Sequence, residues 1–178
     1  LAQQFGLHST LGKSVATEIS TITQRTTMSN SNRPKFTYDY PRMLVTVDVV
    51  AFLKDANSES YKVLLIERGN EPFKNSYALP GGFSEMHERL IDAAQRELLE
   101  ETGLKSVHLT QLQAFDTPNR DPRDRNIAIA FTTMLTDQPM LKAGDDAASA
   151  DWFPIEQLPP LAFDHAEIIC AAKNFWKI

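Results

Sequence analysis

Cysteine is almost absent from this chain of 178 residues: Cys170 is the only one. A single thiol cannot form a disulfide within the chain, so the fold depends on an apolar core rather than on covalent cross-links. Hydrophobic residues make up 42% of the sequence, which is enough for one globular domain. We therefore expect a protein of a reducing compartment, with the cytoplasm as its natural location.

The sequence also lacks a long hydrophobic run and an excess of positive charge. Its longest apolar stretch, Met43–Leu53, is interrupted by Asp48 and is too short to span a bilayer as a helix. Its 18 Lys and Arg residues are outnumbered by 23 Asp and Glu residues, which gives a formal net charge of −5. This balance disfavours broad electrostatic binding to nucleic acid. We expect neither a membrane nor a nucleic acid as a partner.

The first 37 residues differ in composition from the rest. They are rich in Ser, Thr, Gln and Asn, and Glu18 is their only acidic residue. This composition is typical of a disordered tail or an organelle transit peptide, although apolar residues at helical spacing within Leu11–Ile22 also favour a short amphipathic helix. The start at Leu1 rather than Met is compatible with a processed chain, a fragment or one module of a longer bifunctional enzyme. We predict an extension over residues 1–37 and a catalytic domain over residues 38–178.

Hydrophobic periodicity in the second region predicts several strands and two helices. The predicted strands are Met43–Leu53, Tyr61–Arg68, Val107–Phe115, Asn126–Leu135 and Ala150–Ile155. A short extended segment, Ser76–Phe83, is predicted to break at its Pro-Gly-Gly sequence. Apolar stripes predict helices over about 88–102 and 162–176, the first of them capped by Gly103. Strands combined with helices from distant parts of the chain indicate an α/β fold with a mixed sheet covered on both faces.

The last turn of the first predicted helix carries three carboxylates, Glu97, Glu100 and Glu101. Negative charge there opposes the helix dipole by ~0.3–1 kcal/mol per charge, and like charges three or four residues apart add ~0.2–0.5 kcal/mol per pair. At ~100° per residue the three side chains share one face, so a cation among them would relieve the repulsion. Oxygen-only clusters of this kind suit Mg²⁺ or Mn²⁺. The alternative interpretation is a solvated acidic surface.

These carboxylates belong to a longer pattern with fixed spacing. Five residues separate Gly82 from Glu88, and seven more lead to Arg96. The positions that follow are Glu97, Leu98, Glu100, Glu101, Gly103 and Leu104. The stretch resembles the Nudix box, G-x5-E-x7-R-E-U-x-E-E-x-G-U with U aliphatic, at every specified position. Nudix proteins hydrolyse nucleoside diphosphates linked to another group X, and the resemblance implies this activity together with the family's α/β/α sandwich around a mixed sheet.

The resemblance also implies roles for individual residues. The implied ligands of Mg²⁺ or Mn²⁺ are the carbonyl oxygen of Gly81 and the carboxylates of Glu97, Glu100 and Glu101. The implied catalytic residues are Arg96, Glu97 and Glu100. Glu88 would support Arg96 by charge pairing, which requires Glu88 to lie at the loop end because eight residues separate the two. Gly82 would let the backbone approach the substrate closely.

The general base of the implied hydrolysis is left open by the sequence. A metal ion lowers the pKa of a bound water, which then attacks phosphorus. Some relatives place a general-base glutamate in a later loop, but no glutamate occurs here between Glu101 and Glu156. The candidates that remain are Glu97, Glu100, Asp121 and Asp124.

A polar loop after the box provides the evidence on substrate. Residues 116–125 include Arg120, Arg123 and Arg125, whose planar guanidinium groups suit phosphates and can stack on a base. The alternative is a solvated loop with local pairs of Asp121 with Arg123 and of Asp124 with Arg125. The segment is similar to a loop of bacterial ADP-ribose pyrophosphatases and their relatives among regulators of NAD metabolism, although Asp124 stands where those proteins often have Gly. The resemblance implies hydrolysis of ADP-ribose to AMP and ribose 5-phosphate.

Two rival functions and one assembly state stay open. One rival is hydrolysis of other nucleotide derivatives, such as dinucleotides, NADH or nonstandard nucleoside triphosphates. The other is a non-catalytic ADP-ribose sensor, in which a Nudix domain precedes a DNA-binding winged helix. The intact box, and the absence of such a domain before Ile178, disfavour the sensor. Many family members dimerise, and the segment 34–42 is a candidate contributor to a homodimer.

Histidine contributes no recognisable metal site. His87 occupies a variable box position, where a surface residue is favoured over a ligand or proton shuttle. His8, His108 and His165 have no partners at metal-ligand spacing, and we interpret them as structural or solvated.

Overall fold

A computed structural model describes residues 39–56, 58–142 and 147–178 of the chain. The predicted N-terminal extension and its short helix lie outside the described residues. The described strands are β1 (Leu44–Lys54), β2 (Tyr61–Arg68), β3 (Tyr77–Ala78), β4 (Gly81–Phe83), β5 (Thr110–Phe115), β6 (Asn126–Leu135) and β7 (Ala147–Pro154). The described helices are α1 (Leu90–Thr102) and α2 (His165–Trp176), and neither is long and apolar enough to cross a membrane.

Strand β1 is the centre of a mixed sheet. The strands follow the order β3-β2-β1-β6-β5, while β4 pairs with β1 and β7 pairs with β2. β1 runs parallel to β6 from the pair Leu44–Asn126 to the pair Leu53–Leu135, and antiparallel to β2 and β4. A strand bonded to neighbours on both edges is deeply buried, which explains why β1 is almost continuously apolar in sequence.

The two faces of the sheet bury two separate hydrophobic clusters. Alternate residues of β1, including Val47 and Val49, face α1, where Leu98 is almost completely buried. The intervening residues, including Val50, face α2, where Ile168 has no exposed surface. Burial of each such side chain contributes ~1.5–3 kcal/mol to stability. The predicted α/β/α sandwich around a mixed sheet is confirmed.

Helix α1 begins two residues later than the periodicity predicts. Its N-cap is Arg89, whose backbone is extended (φ −78°, ψ 155°), so Glu88 lies in the preceding loop. At the other end Gly103 has a left-handed backbone (φ 75°), and its N–H donates to the carbonyl oxygen of Leu99. The predicted glycine cap is confirmed.

Several other boundaries differ from the sequence prediction. β5 starts at Thr110 rather than Val107, and β7 starts at Ala147 rather than Ala150 because it stays paired with β2 across a bulge at Glu67/Arg68. α2 starts at His165 rather than at residue 162. The chain before α2 pairs with β3 instead: Leu161 forms an isolated parallel bridge with Tyr77, and the N–H of Ala162 donates to the carbonyl oxygen of Tyr77 at 2.8 Å.

The predicted extended segment is interrupted at Leu79 and Pro80, but the two glycines that follow are themselves part of a strand rather than of the break. Gly81 and Gly82 form most of β4 and pair with Asp48 and Val47 of β1. A Cβ atom at Gly81 would overlap the carbonyl oxygen of Val47 and would lie 2.8 Å from a carboxylate oxygen of Asp48. Glycine here permits close strand pairing rather than a turn, because no side chain separates the two backbones.

Adjacent leucines in α1 provide a matched test of this packing. Leu98 is 1% exposed and Leu99 is 43% exposed. Leu98→Ala should lower the free energy of unfolding by ~2–5 kcal/mol, because it removes buried methyl groups and leaves a cavity. Leu99→Ala should change it by less than about 1 kcal/mol. Urea unfolding followed by circular dichroism measures both; equal losses would mean that α1 does not pack through the face bearing Leu98.

Candidate active site

Glu88 and Arg96 form a two-point ion pair at the start of the site. Arg96 Nη2 lies 2.7 Å from Glu88 Oε1, and Nε lies 3.1 Å from Oε2. The pair forms across eight residues because Glu88 precedes the regular helix. The hydrogen bond from Arg96 lowers the pKa of Glu88, and a hydrogen bond from the N–H of Glu85 lowers it further. Glu88 thus lies in the loop before α1, as its pairing with Arg96 requires.

Arg96 is also the cation that lies among the carboxylates of α1. Its Nη1 is 2.7 Å from Glu97 Oε1 and 3.2 Å from Glu100 Oε2. Its Nη2 donates to the carbonyl oxygen of Phe83 at 3.2 Å. The hydrogen bond to Glu88, supported by that to Glu97, raises the pKa of Arg96 above its usual range. The repulsion predicted from the sequence is therefore relieved by a permanently charged guanidinium.

The carboxylate of Glu97 packs directly against Gly82. A Cβ atom at Gly82 would overlap Oε1 of Glu97, so a residue with a side chain would displace this carboxylate. Burial raises the pKa of Glu97, and the hydrogen bond from Arg96 only partly opposes that effect. Glu97 is thus a desolvated carboxylate next to the β4 backbone, where a bound cation would favour its charged form.

Glu101 contacts the same strand one residue earlier. The N–H of Gly81 donates to Glu101 Oε2 at 2.9 Å. Because β4 is held against β1, this hydrogen bond ties the last turn of α1 to the centre of the sheet. Glu97 and Glu101 therefore approach the two glycines that the sequence assigns to the metal and substrate loop.

The oxygen donors at this end of α1 have the chemistry that a hard divalent cation requires. Across residues 39–56, 58–142 and 147–178, however, no three His, Cys, Asp or Glu side chains converge at metal-binding distances. Arg96 keeps Glu97 and Glu100 directed towards its guanidinium, and Glu101 accepts the Gly81 N–H. The predicted ligands thus fit a cation by donor type, and a divalent ion would replace part of the charge compensation that Arg96 provides.

Arg120, predicted to bind substrate, is buried in an ion-pair network. Its guanidinium lies 2.6 Å and 2.8 Å from the two carboxylate oxygens of Asp164 and 3.4 Å from Asp48 Oδ2. It also donates to Asn126 Oδ1 at 2.9 Å, and its side chain is only 4% exposed. This arginine joins its loop to β1 and to the start of α2. Direct substrate binding by Arg120 stays a prediction, and its contacts here favour a positioning role.

The other two loop arginines are more accessible. Arg123 Nη2 lies 2.6 Å from Asp121 Oδ2, so the local pair considered from the sequence is present. Asp124 instead accepts the backbone N–H of Arg125 at 2.7 Å, and the Arg125 side chain donates to the carbonyl oxygen of Asn126. Arg123 and Arg125 therefore lie at the surface end of the loop, where phosphate binding stays a prediction.

Asp121 is poorly suited to serve as the general base. Burial would raise its pKa, but hydrogen bonds from Arg123 outweigh that effect and the pKa of Asp121 is lowered. Asn126 donates a further hydrogen bond to Oδ2 at 2.8 Å. A carboxylate with these partners has little tendency to accept a proton near neutral pH.

A buried polar group beneath β4 was not identified as functional from the sequence. His165 Nδ1 accepts the N–H of Leu79 at 2.9 Å, and its Nε2 lies 3.6 Å from Asp48 Oδ1. Burial lowers the pKa of His165, although the charge of Asp48 opposes this. The interpretation of His165 as structural fits these contacts, while His87 and His108 are exposed. The only signal for the group was Asp48, a charge within an otherwise apolar strand.

The sheet with a helix on each face, and the carboxylate-bearing end of α1 at two close-packed glycines, define an α/β domain of the Nudix type. The sequence profile of the NUDIX domain matches residues 44–172, and the chain belongs to this family.

Two characterised proteins are similar in sequence to this chain. An ADP-ribose pyrophosphatase from Methanocaldococcus jannaschii is 48% identical over 108 residues, which are 61% of this chain and 63% of the relative. The ADPR responsive transcriptional repressor NtrR from Acinetobacter baylyi is 33% identical over 135 residues, which are 74% of this chain and 53% of the relative. The chain therefore spans less than two thirds of the length of either protein.

One solved structure is similar to this chain over most of the length of both proteins. It is the NUDIX domain of Shewanella oneidensis NrtR complexed with ADP ribose, which is 30% identical with a TM-score of 0.71. The match covers 77% of this chain and 90% of the NrtR domain. The likeness agrees with the mixed sheet and two helices described above.

The buried network predicts unequal effects for two arginines of the same loop. Arg120→Gln should lower the free energy of unfolding by ~3–5 kcal/mol, because it leaves Asp48 and Asp164 buried without their cation. Arg125→Gln should cost about 1 kcal/mol or less, since it removes one hydrogen bond from a half-buried side chain. Urea unfolding at neutral pH separates the two cases. Similar losses would contradict the positioning role of Arg120.

The Glu88–Arg96 pair predicts a pH-dependent contribution to stability. Because the pKa of Glu88 is lowered in the folded state, its carboxylate stabilises the fold above the ordinary value of 4.5. This contribution should decline as pH falls below 4.5 and disappear below the lowered pKa. Glu88→Gln should therefore be less stable than the natural protein at pH 7, with a difference that shrinks in acid.

Thermal unfolding from pH 3 to 8 measures this difference. Glu156→Gln is the matched control, because Glu156 is exposed and lies outside the box. A difference between Glu88→Gln and the natural protein that stays constant with pH would show that the ion pair is not its cause.

Proposed function

We propose that this chain is a Nudix pyrophosphohydrolase that cleaves the diphosphate of ADP-ribose to AMP and ribose 5-phosphate, using Mg²⁺ or Mn²⁺. The observation that carries the proposal is the approach of Glu97 and Glu101 to the backbone of Gly82 and Gly81. That arrangement concentrates hard oxygen donors beside the backbone of β4.

The proposed ligands of the ion are the Gly81 carbonyl oxygen and the carboxylates of Glu97, Glu100 and Glu101. Nudix hydrolases generally use divalent metal ions, and an ion held by these residues would polarise the diphosphate and would lower the pKa of the attacking water. The water oxygen forms a bond to phosphorus, the bridging P–O bond breaks, and the leaving phosphate departs as AMP or ribose 5-phosphate. A carboxylate of the site accepts the proton.

Glu97 and Glu100 are the proposed candidates for that proton acceptor. Glu97 lies against the backbone of Gly82, and Glu100 shares the Arg96 guanidinium with it. Arg96 and Glu88 orient both carboxylates through the contacts described above. Asp121 is disfavoured because Arg123 and Asn126 already hold its oxygens.

The choice of ADP-ribose rests on the relatives and on the loop of residues 116–125, which we call the arginine loop. The M. jannaschii relative is an ADP-ribose pyrophosphatase, and the NrtR domain was solved with ADP ribose. In this chain Arg123 is exposed and Arg125 is half-buried, and both would bind phosphate, while Arg120 holds the loop in place. We further propose a cytoplasmic protein, consistent with its single cysteine, that acts on a small molecule without nucleic acid and is able to form a homodimer.

A second candidate function is binding of ADP-ribose without hydrolysis. It is favoured by the 33% identity to the repressor NtrR and by the likeness to the NrtR domain. The complete set of box carboxylates argues for hydrolysis. Cleavage of another nucleotide derivative would keep the same metal chemistry with a different group X.

Incubation with a panel of substrates distinguishes these possibilities. The protein would be mixed with ADP-ribose, NADH, a diadenosine polyphosphate and nucleoside triphosphates, each with Mg²⁺ or Mn²⁺, and the products separated by chromatography. We expect AMP and ribose 5-phosphate from ADP-ribose. Glu101→Gln should slow this turnover on the order of a hundredfold, the scale seen when one electrostatic stabiliser of a transition state is removed.

Glu156→Gln serves as the control, because it removes an exposed carboxylate outside the box. Turnover of another substrate alone would overturn the assignment of ADP-ribose but keep the hydrolase. Binding of ADP-ribose without metal-dependent turnover of any compound would favour the sensor.

A further inference from the structure

Two arginines from distant parts of the chain lie against one aromatic ring. The guanidinium carbon of Arg68, at the end of β2, is 4.9 Å from the centroid of the Phe163 ring. That of Arg123 is 5.6 Å from the same centroid and 5.3 Å from the centroid of Phe83. Phe73 completes the group, with its ring centroid 4.9 Å from that of Phe163. We call these five residues the arginine–phenylalanine cluster.

The backbone that presents the two contacting rings is strained. Phe73 and Phe163 have φ angles of 63° and 54°, in the left-handed region that bulky residues rarely adopt. Residues in such sparsely populated conformations tend to cluster at active sites and ligand-binding sites. Phe73 and Phe83 are also 40% and 43% exposed. The cluster therefore presents aromatic surface to solvent from a strained backbone.

The cluster also brings together two positive charges beside the box. Burial lowers the pKa of Arg68, the charge of Arg123 lowers it further, and Glu101 opposes both effects. Arg123 lies over the ring of Phe83, which directly follows Gly82 in β4, so the two arginines lie close to the box. A concentration of cations at that position suits the oxygens of a bound phosphate.

Each guanidinium keeps a donor directed away from its structural partners. Arg68 donates from Nε to the carbonyl oxygen of Pro72 at 2.9 Å and from Nη2 to that of Asn70 at 3.4 Å. Arg123 uses Nε and Nη2 for Asp121. No described residue accepts a hydrogen bond from Nη1 of either arginine. These contacts fix the two side chains in place and leave one end of each available to a ligand.

We propose that Arg68 and Arg123 together bind the phosphate oxygens of a nucleoside diphosphate on the aromatic floor of Phe163, with Phe73 and Phe83 at its edges. Arg68 has no role in the box or in the polar loop, and the pair defines the position of the diphosphate relative to Glu101. This inference rests on the proposed function, because it names how that site holds its anionic substrate. The competing account is that both arginines only brace their loops through Pro72 and Asp121.

Metal-free binding separates these accounts without requiring turnover. ADP and adenosine would be titrated by calorimetry into the protein at low ionic strength with EDTA. Arg68→Gln and Arg123→Gln should each weaken ADP binding roughly tenfold or more, the effect of losing a charge-assisted hydrogen bond. Adenosine affinity should stay unchanged, because adenosine carries no phosphate. Arg89→Gln is the control, since Arg89 is an exposed arginine at an unspecified position of the box and pairs with Asp92.

Two further measurements guard against a purely structural effect. Arg68→Lys keeps the charge but loses the planar fork, so it should bind ADP with intermediate affinity, and melting temperatures report whether each variant is folded. In steady-state hydrolysis of ADP-ribose, Arg68→Gln and Arg123→Gln should raise KM by a factor similar to the loss of ADP affinity. Their kcat should change by less than about threefold, since the interaction is made in the ground state as well.

The outcomes distinguish this inference from the proposed function. Unchanged ADP affinity in a folded variant of either arginine would overturn it, as would an equal loss of adenosine affinity or the absence of ADP binding by the natural protein. ADP-ribose hydrolysis with unaltered KM in both variants would leave the hydrolase standing without the arginine pair. Arginine-dependent ADP binding without hydrolysis of ADP-ribose would keep the pair and reject the activity.

Discussion

The close pairing of β4 with β1 is the contact on which the site depends. Gly81 lies opposite Asp48 with no side chain between the two strands. This pairing brings the Gly81 N–H to Glu101 and the Gly82 backbone to Glu97. It also brings the N–H of Leu79, which lies between β3 and β4, to His165. Groups from α1 and from α2 are thus both positioned relative to one strand. A larger residue at Gly81 would separate all of them at once.

Arg96 explains how a helix tolerates an acidic C-terminal end. No basic residue lies in the last turn of α1, so nothing there offsets the dipole directly. Arg96, one turn earlier, instead shares its guanidinium among Glu88, Glu97 and Glu100. Arg96 offsets part of the negative charge of these carboxylates, but burial still raises the pKa of Glu97. A site built in this way remains stable alone and still favours additional positive charge.

The sequence predicted the regular parts of the fold better than the parts that assemble the site. β2 and β6 have the predicted bounds because their apolar residues are continuous and end at polar turns. The Gly103 cap followed from local rules of helix geometry, whereas the Glu88–Arg96 pair followed from the resemblance to the Nudix box and not from helix geometry. The short strands β3 and β4 lie within the predicted extended segment Ser76–Phe83, but their pairing with β2 and β1 was not predicted, since so short an element carries no periodicity. The role of Arg120 escaped it too, because its partner Asp164 is 44 residues away in sequence and is met only in the folded sheet.

The parallel pairing of β1 with β6 also bears on how this protein folds. Val50 and its neighbour Thr132 are 82 residues apart in sequence, and they are joined side by side in the sheet. Such non-local pairing raises the contact order. It slows folding because the chain loses the entropy of closing a long loop before the stabilising contacts form. The arginine loop directly precedes β6, and the box lies within the segment being closed. A chain that has formed α1 but not this pairing would therefore have the box helix without the arginine loop in place beside it, so catalytic competence should appear only late in folding.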